Sequence, residues 1–131
     1  MIVSSKDQRD WALCLWREAR GEGFAGMHAV AWVIRNRCYA WAKSIHDVLF
    51  EKNQFTSMTL TTEPDDGDAQ WKEAQQIVTA IVHGLDASDP TGGALYYANL
   101  ATATSGWFFD NIVKSALHPR TAVIGHHTFF K

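Results

Sequence analysis

Hydrophobic positions recur along the first third of the chain at helical spacing. Residues 11–16, Trp11-Ala12-Leu13-Cys14-Leu15-Trp16, are apolar almost all round, the mark of a central rather than a peripheral helix. Ser4 or Ser5 can cap it, Asp7 in its first turn suits the helix dipole, and Gly21 suits a C-terminal stop, so a helix is predicted over about 5–20. A second helix is predicted over about 24–42, where Met27, Val30, Ala31, Ile34 and Cys38 make one face and Arg35 and Arg37 fall near the end, favourable for the dipole. A short helix at about 44–50 follows Ser44. Residues 51–68 are polar and turn-rich and read as an exposed loop.

The second half opens with a helix predicted over about 69–84, with Trp71, Ala74, Ile77, Val78 and Ile81 as its stripe and Gly84 as its stop. Asp89-Pro90-Thr91-Gly92-Gly93 reads as a turn and Ala94–Ala98 as a short strand. Gly92-Gly93 is not a phosphate cradle, because no Lys-Ser/Thr follows and the next element is a strand. Residues 106–117 read as an irregular helix broken by His118-Pro119. Residues 121–124 and 127–130 read as a strand pair or one strand interrupted at Gly125. With no repeat, linker or low-complexity tract, the 131 residues predict a single α+β domain, mainly α, with a small antiparallel sheet late in the chain.

Composition narrows the chemistry. Hydrophobic residues are 47% and charged residues 20%, enough for a packed core. The formal net charge is −2 with no basic block, which argues against nucleic acid as a partner. Six Trp and seven Phe suit both core packing and the lining of a saccharide site. No stretch approaches 18 apolar residues, so no membrane insertion is expected. The start of the sequence lacks the charged-then-apolar pattern of a secretory signal, which predicts synthesis in a cytoplasm. Cys14 and Cys38 both fall in helix-like segments. They read as buried free thiols, with a disulfide between packed helices left open.

Among residues able to carry chemistry, Glu18 comes first. A carboxyl beside large apolar side chains is poorly solvated, which favours its neutral, proton-holding form and suits a general acid. Position alone also fits a surface Glu paired with Arg17 or Arg20. The motif decides differently. Glu18-Ala19-Arg20-Gly21-Glu22 resembles the signature of the SleB-type cell wall hydrolases, which include spore-cortex-lytic enzymes and phage lysins. Further blocks are similar in the same order: Gly26 with Ala29–Arg37 ending in Asn36-Arg37, Gln54-Phe55, Asp89–Asn99, and Ile124–Phe130. Residues 56–68 depart from the pattern, since family members often carry aromatic residues there.

The resemblance implies a lysozyme-like helical catalytic domain with Glu18 as acid/base. It implies no cofactor and no metal, and peptidoglycan glycan strands as substrate. Glu22 reads as a second carboxylate or as a structural residue holding the loop. Gln54, Tyr96, Tyr97, Asn99 and His127 are candidates for substrate binding. Adjacent strand residues leave opposite faces, so one of Tyr96 and Tyr97 is expected in the core and the other toward glycan. His127 divides between substrate binding and tying the sheet to a helix. The expected reaction is cleavage of the bond between N-acetylmuramic acid and N-acetylglucosamine, as a lytic transglycosylase. The expected setting is a monomeric phage endolysin released by a holin and acting on the wall from the periplasmic side, with a coat-deposited spore hydrolase as the other setting that fits. Two other readings compete: a zinc-dependent N-acetylmuramoyl-L-alanine amidase using some of the six His, and a non-catalytic glycan-binding module.

Overall fold

The computed structural model describes residues 1–131. Helix α1 runs Ser5–Ala19, and the Ser4 hydroxyl accepts the Asp7 amide at 3.1 Å to cap it. All six residues from Trp11 to Trp16 are buried, as a central helix requires. The chain does not break at Gly21. Arg20–Glu22 form a 3-10 turn, and the left-handed residue is Gly23 (φ 74), where α2 begins. Gly21 lies inside that turn, so the change of direction falls two residues later than expected.

Helix α2 spans Gly23–Trp41 and buries two faces. Met27, Val30, Ala31 and Ile34 join the main core with α1 and with α4 (Ala69–Val82). Ala29 and Val33, on the other side, pack with Ala94 and Phe129 of the sheet region into a second small core. The helix is therefore a partition between layers, which is why so few polar residues interrupt it. A short α3, Ile45–Leu49, is capped by Ser44. α4 is capped by Asp68, whose carboxylate accepts the Trp71 amide at 2.9 Å, and its apolar stripe is buried.

The segment 51–68 is less irregular than its composition predicts, because Thr56–Thr59 form a 3-10 turn. Beyond α4 lie three strands, β1 Tyr96–Ala98, β2 Arg120–Ile124 and β3 His127–Phe130. They form an antiparallel sheet of order β1-β3-β2, with Tyr97 opposite Phe129 and Val123 opposite Thr128. The central strand is the buried one. β2 and β3 are a hairpin turning at Gly125 (φ 57), so the late apolar run is two strands. Between β1 and β2, α5 (Gly106–Phe108) runs into a π turn over Phe109–Val113, which accounts for the irregular pattern of that segment. The architecture is mainly α with a small late antiparallel sheet. Both cysteines are buried free thiols.

Candidate active site

The site begins at the last turn of α1. Arg17 reaches across to the 51–68 segment, donating to Thr62 O from Nε (3.0 Å) and Nη2 (2.8 Å) and to Ser57 O from Nη1 (3.2 Å). These bonds fold the segment back over α1 and set Ser57 beside the next residue. The Ser57 hydroxyl donates to Glu18 Oε1 at 2.6 Å, and Ser57 is itself buried. Arg20 takes no part. Its guanidinium lies over the Trp16 ring and donates to the Trp16 carbonyl.

The charge of Glu18 reaches three groups around it. It pushes up the Cys14 thiol and the Tyr97 phenol, both raised mainly by burial, and it opposes the burial that pulls the His127 imidazole down. His127 stands edge-on to Tyr97, with ring centroids 5.1 Å apart, and its Nδ1 is buried without a partner.

Glu18 opens into a cleft of about 660 Å³, within the range of ligand-binding cavities. Gln54, Trp41, Tyr96, Tyr97 and Trp107 line it together with Glu18. Three of the sequence-predicted binding residues, Gln54, Tyr96 and Tyr97, thus share the cleft with Glu18. The two tyrosines were expected to separate, and both line it. Tyr97 stacks on Phe129 at 5.7 Å and caps the small core, while Tyr96 packs against Trp41 and His118. β1 is three residues long and is an edge strand at the lip of the cleft, so side chains from both of its faces reach the opening. Asn99 and His127 are not among the lining residues. The Asn99 carboxamide accepts the Ala101 amide at 3.1 Å and opens the turn after β1, and His127 meets the cleft through Tyr97.

Glu22 stands outside the cleft. Its Oε1 is 2.9 Å from His126 Nδ1, and Oε2 accepts the His126 amide at 3.4 Å. Hydrogen bonding from His126 holds its carboxyl below the usual range. A Cβ on Gly125 would overlap Glu22 Oε2, and one on Gly26 would overlap Glu22 Cβ, so two glycines make room for this contact. Glu22 fastens the β2–β3 turn to the start of α2.

Sequence reasoning missed Ser57, Arg37, Glu51, Trp41 and Trp107. Arg37 is no dipole-facing surface residue, for it is buried, with Nε donating to Leu95 O at 2.7 Å and Nη1 to Gln54 Oε1 at 3.3 Å. Its signal was available in the Asn-Arg pair set between Ile34 and Cys38, where a polar pair in an apolar helix marks internal partners. Asn36 donates to Asp89 Oδ2 at 2.8 Å and to Ala94 O at 3.1 Å. The pair therefore suspends β1 and its preceding turn from α2. Glu51 lines the cleft paired to Lys43 at 3.1 Å. The histidines do not converge, and no three His, Cys, Asp or Glu side chains form a group able to hold a metal ion.

A family model described as Cell Wall Hydrolase matches residues 21–130. The chain belongs to the cell wall hydrolase family. The matched span begins three residues after Glu18. Spore cortex-lytic enzymes are similar over more of the chain. The one from Halalkalibacterium halodurans is 34% identical over 128 residues, 96% of this chain and 35% of that protein. The one from Oceanobacillus iheyensis is 34% identical over 130 residues, 98% of this chain and 42% of that protein. The chain spans less than half the length of these curated relatives. Two solved structures from the family align with nearly all of it. The catalytic domain of the germination-specific lytic transglycosylase SleB from Bacillus anthracis superposes with a TM-score of 0.76 at 33% identity, covering 98% of this chain and 97% of that one. The catalytic domain of the Bacillus cereus SleB protein gives 0.75 at 32%, covering 99% and 93%.

Proposed function

We propose that the chain cleaves peptidoglycan glycan strands between N-acetylmuramic acid and N-acetylglucosamine as a lytic transglycosylase, with Glu18 as its single acid/base. The observation that carries this reading is the Glu18–Ser57 hydrogen bond at the head of an aromatic-lined cleft. With Ser57 donating to Oε1, the other oxygen, Oε2, is free to carry the transferable proton. Glu18 gives that proton to the bridging oxygen, and the C1–O bond breaks. The carboxylate so formed takes the proton of the muramic C6 hydroxyl, whose oxygen closes on C1 of the same ring. One proton leaves Glu18 and one returns, and no water is consumed. Intramolecular attack has a high effective concentration, so a positioned water is unnecessary. The similarity to a domain described as a lytic transglycosylase supports the same route.

A hydrolytic route would need a second carboxylate about 5–9.5 Å from the first. Glu22 is committed to His126, and the other carboxylate lining the cleft, Glu51, is paired to Lys43. The test is mass spectrometry of digested peptidoglycan. 1,6-Anhydro-muramic ends, about 18 Da lighter than hydrated ones by the one water this route omits, are expected. Reducing muramic ends would reject the route and direct attention to Glu51. Glu18→Gln keeps the size and removes the proton, so activity should fall at least about a hundredfold with the fold intact.

The amidase reading finds no converging ligand set, and the binding-module reading leaves the Glu18–Ser57 arrangement without a purpose. For the setting, we propose a monomeric phage endolysin. In this setting the chain is made in the cytoplasm, and a holin opens its route to the wall. Expression in a bacterial host with and without a holin tests this: lysis only with the holin is expected, and lysis without it would reject the role.

A further inference from the structure

Arg37 is the one cation of the cleft without a counter-ion. It is 5% exposed, yet no carboxylate lies within 4.0 Å of it. Its two protein acceptors, Leu95 O and the Gln54 carboxamide, are neutral. A guanidinium has five N–H donors, so most of its donor capacity is unused, and the residue lines the cleft. The rings of Trp41, Phe55 and Tyr96 surround it, with centroids 5.2, 5.4 and 5.8 Å from Cζ. Aromatic faces shelter a cation without neutralising it. Burial pulls its pKa down from the usual value. Of the two carboxyl groups on the same cleft, Glu51 is occupied by Lys43 and Glu18 by the Ser57 hydroxyl. A desolvated charge left unpaired is costly, and that cost is relieved when a carboxyl oxygen arrives.

We propose that Arg37 is the specificity-determining residue that receives the lactyl arm of the muramic acid residue. Its free N–H groups donate to the lactyl carboxyl oxygens, a carboxylate on a bare sugar and an amide carbonyl where a peptide stem is attached. The acetamido group and the C6 hydroxyl are common to both sugars of the strand, and the lactyl arm takes the place of the C3 hydroxyl proton. The lactyl arm alone distinguishes muramic acid from glucosamine, and it carries the acceptor that a buried guanidinium selects. Recognition there fixes which glycosidic bond is presented to Glu18. The inference rests on the glycan-cleaving reading above.

The test is binding of two disaccharides to the full chain, N-acetylglucosaminyl-N-acetylmuramic acid and N,N′-diacetylchitobiose, followed by NMR with the Arg37 guanidinium resonances as reporter. The wild-type chain should prefer the lactyl-bearing sugar by about tenfold or more, the scale of one charge-assisted hydrogen bond, and that sugar alone should shift the Arg37 Nε signal. Arg37→Met should bind both sugars alike, and Arg37→Lys should keep part of the preference. Equal affinity of the wild-type chain for the two sugars overturns the proposal, and that comparison stands even if Arg37→Met does not fold. A preference retained in a folded Arg37→Met overturns it too. Digestion of peptidoglycan by the wild-type chain is run beside it. Absence of digestion refutes glycan cleavage, while the sugar preference still reads out Arg37.

Discussion

Replacing Asp89 with Ala should be among the most damaging single changes outside the hydrophobic core. Its carboxylate takes four hydrogen bonds: Thr91 N (2.8 Å) and Thr91 Oγ1 (2.7 Å) on Oδ1, and Asn36 Nδ2 (2.8 Å) and Gly93 N (2.9 Å) on Oδ2. Thr91 is fully buried, so its amide and hydroxyl cannot turn to water when the acceptor is removed. Each buried donor left unsatisfied costs about 1–3 kcal/mol. Asn36 retains Ala94 O, and Gly93 is partly exposed, so these two add less. The sum is about 3–5 kcal/mol, or about 10–20 °C in melting temperature for a domain of this size. Asp89→Asn keeps the shape but sets an NH2 group against at least one existing donor, and should cost roughly half as much. Burial alone would raise the Asp89 carboxyl, but the bonds from Thr91, Asn36 and Gly93 outweigh it and hold it below the ordinary range. A lowered folded value means stability that is present above the unfolded carboxyl range, about pH 4, and lost as pH falls through the folded value. The wild type should therefore lose stability below about pH 4 more steeply than Asp89→Asn. Urea and thermal unfolding followed by far-UV circular dichroism, repeated from pH 7 to pH 3, measure both effects. A cost under about 1 kcal/mol for Asp89→Ala would show that the turn does not suspend β1 from α2.

Ile34→Ala, at a fully buried position in the main core, should cost about 2–5 kcal/mol in urea unfolding. Ser57→Ala should reduce turnover of peptidoglycan while leaving the melting temperature within a few degrees, because it frees Glu18 Oε1 without opening the helical core; unchanged turnover would make Ser57 a bystander. Gln54→Ala should raise KM more than it lowers melting temperature, as measured by turbidity clearance over a range of peptidoglycan concentrations. Dialysis against EDTA should leave activity intact, and loss restored by zinc would bring the amidase reading forward.

The helices were legible because their signals are local. Ser4, Ser44 and Asp68 cap the helices they precede, and the apolar stripe of α4 faces inward residue by residue. What was not legible depends on contacts distant in sequence. The predicted face of α2 did not include Ala29 and Val33, which are covered by a sheet formed 60 or more residues later. Ser57 gave no local sign, since its place beside Glu18 is set by Arg17 gripping Thr62. Arg37 read as a helix-end cation because its acceptors, Leu95 O and Gln54, come from two other segments. Glu18 and three of the proposed cleft residues could be named from motif order, whereas Asn99 and His127 lie next to the cleft and not on it.

The two walls of the cleft are built to different standards of permanence. Glu18 and Arg37 project from long helices locked in the main core. The wall carrying Trp107 belongs to residues 99–108, whose hydrogen bonds run almost wholly within the segment, from Ala101, Thr102 and Ala103 to Asn99 and from Phe108 and Phe109 to Ser105. Segments tied mainly to themselves open at small free-energy cost while the core stays closed. A cleft bounded in this way can take a ligand in from the side, where a rigid tunnel has to be threaded from an end.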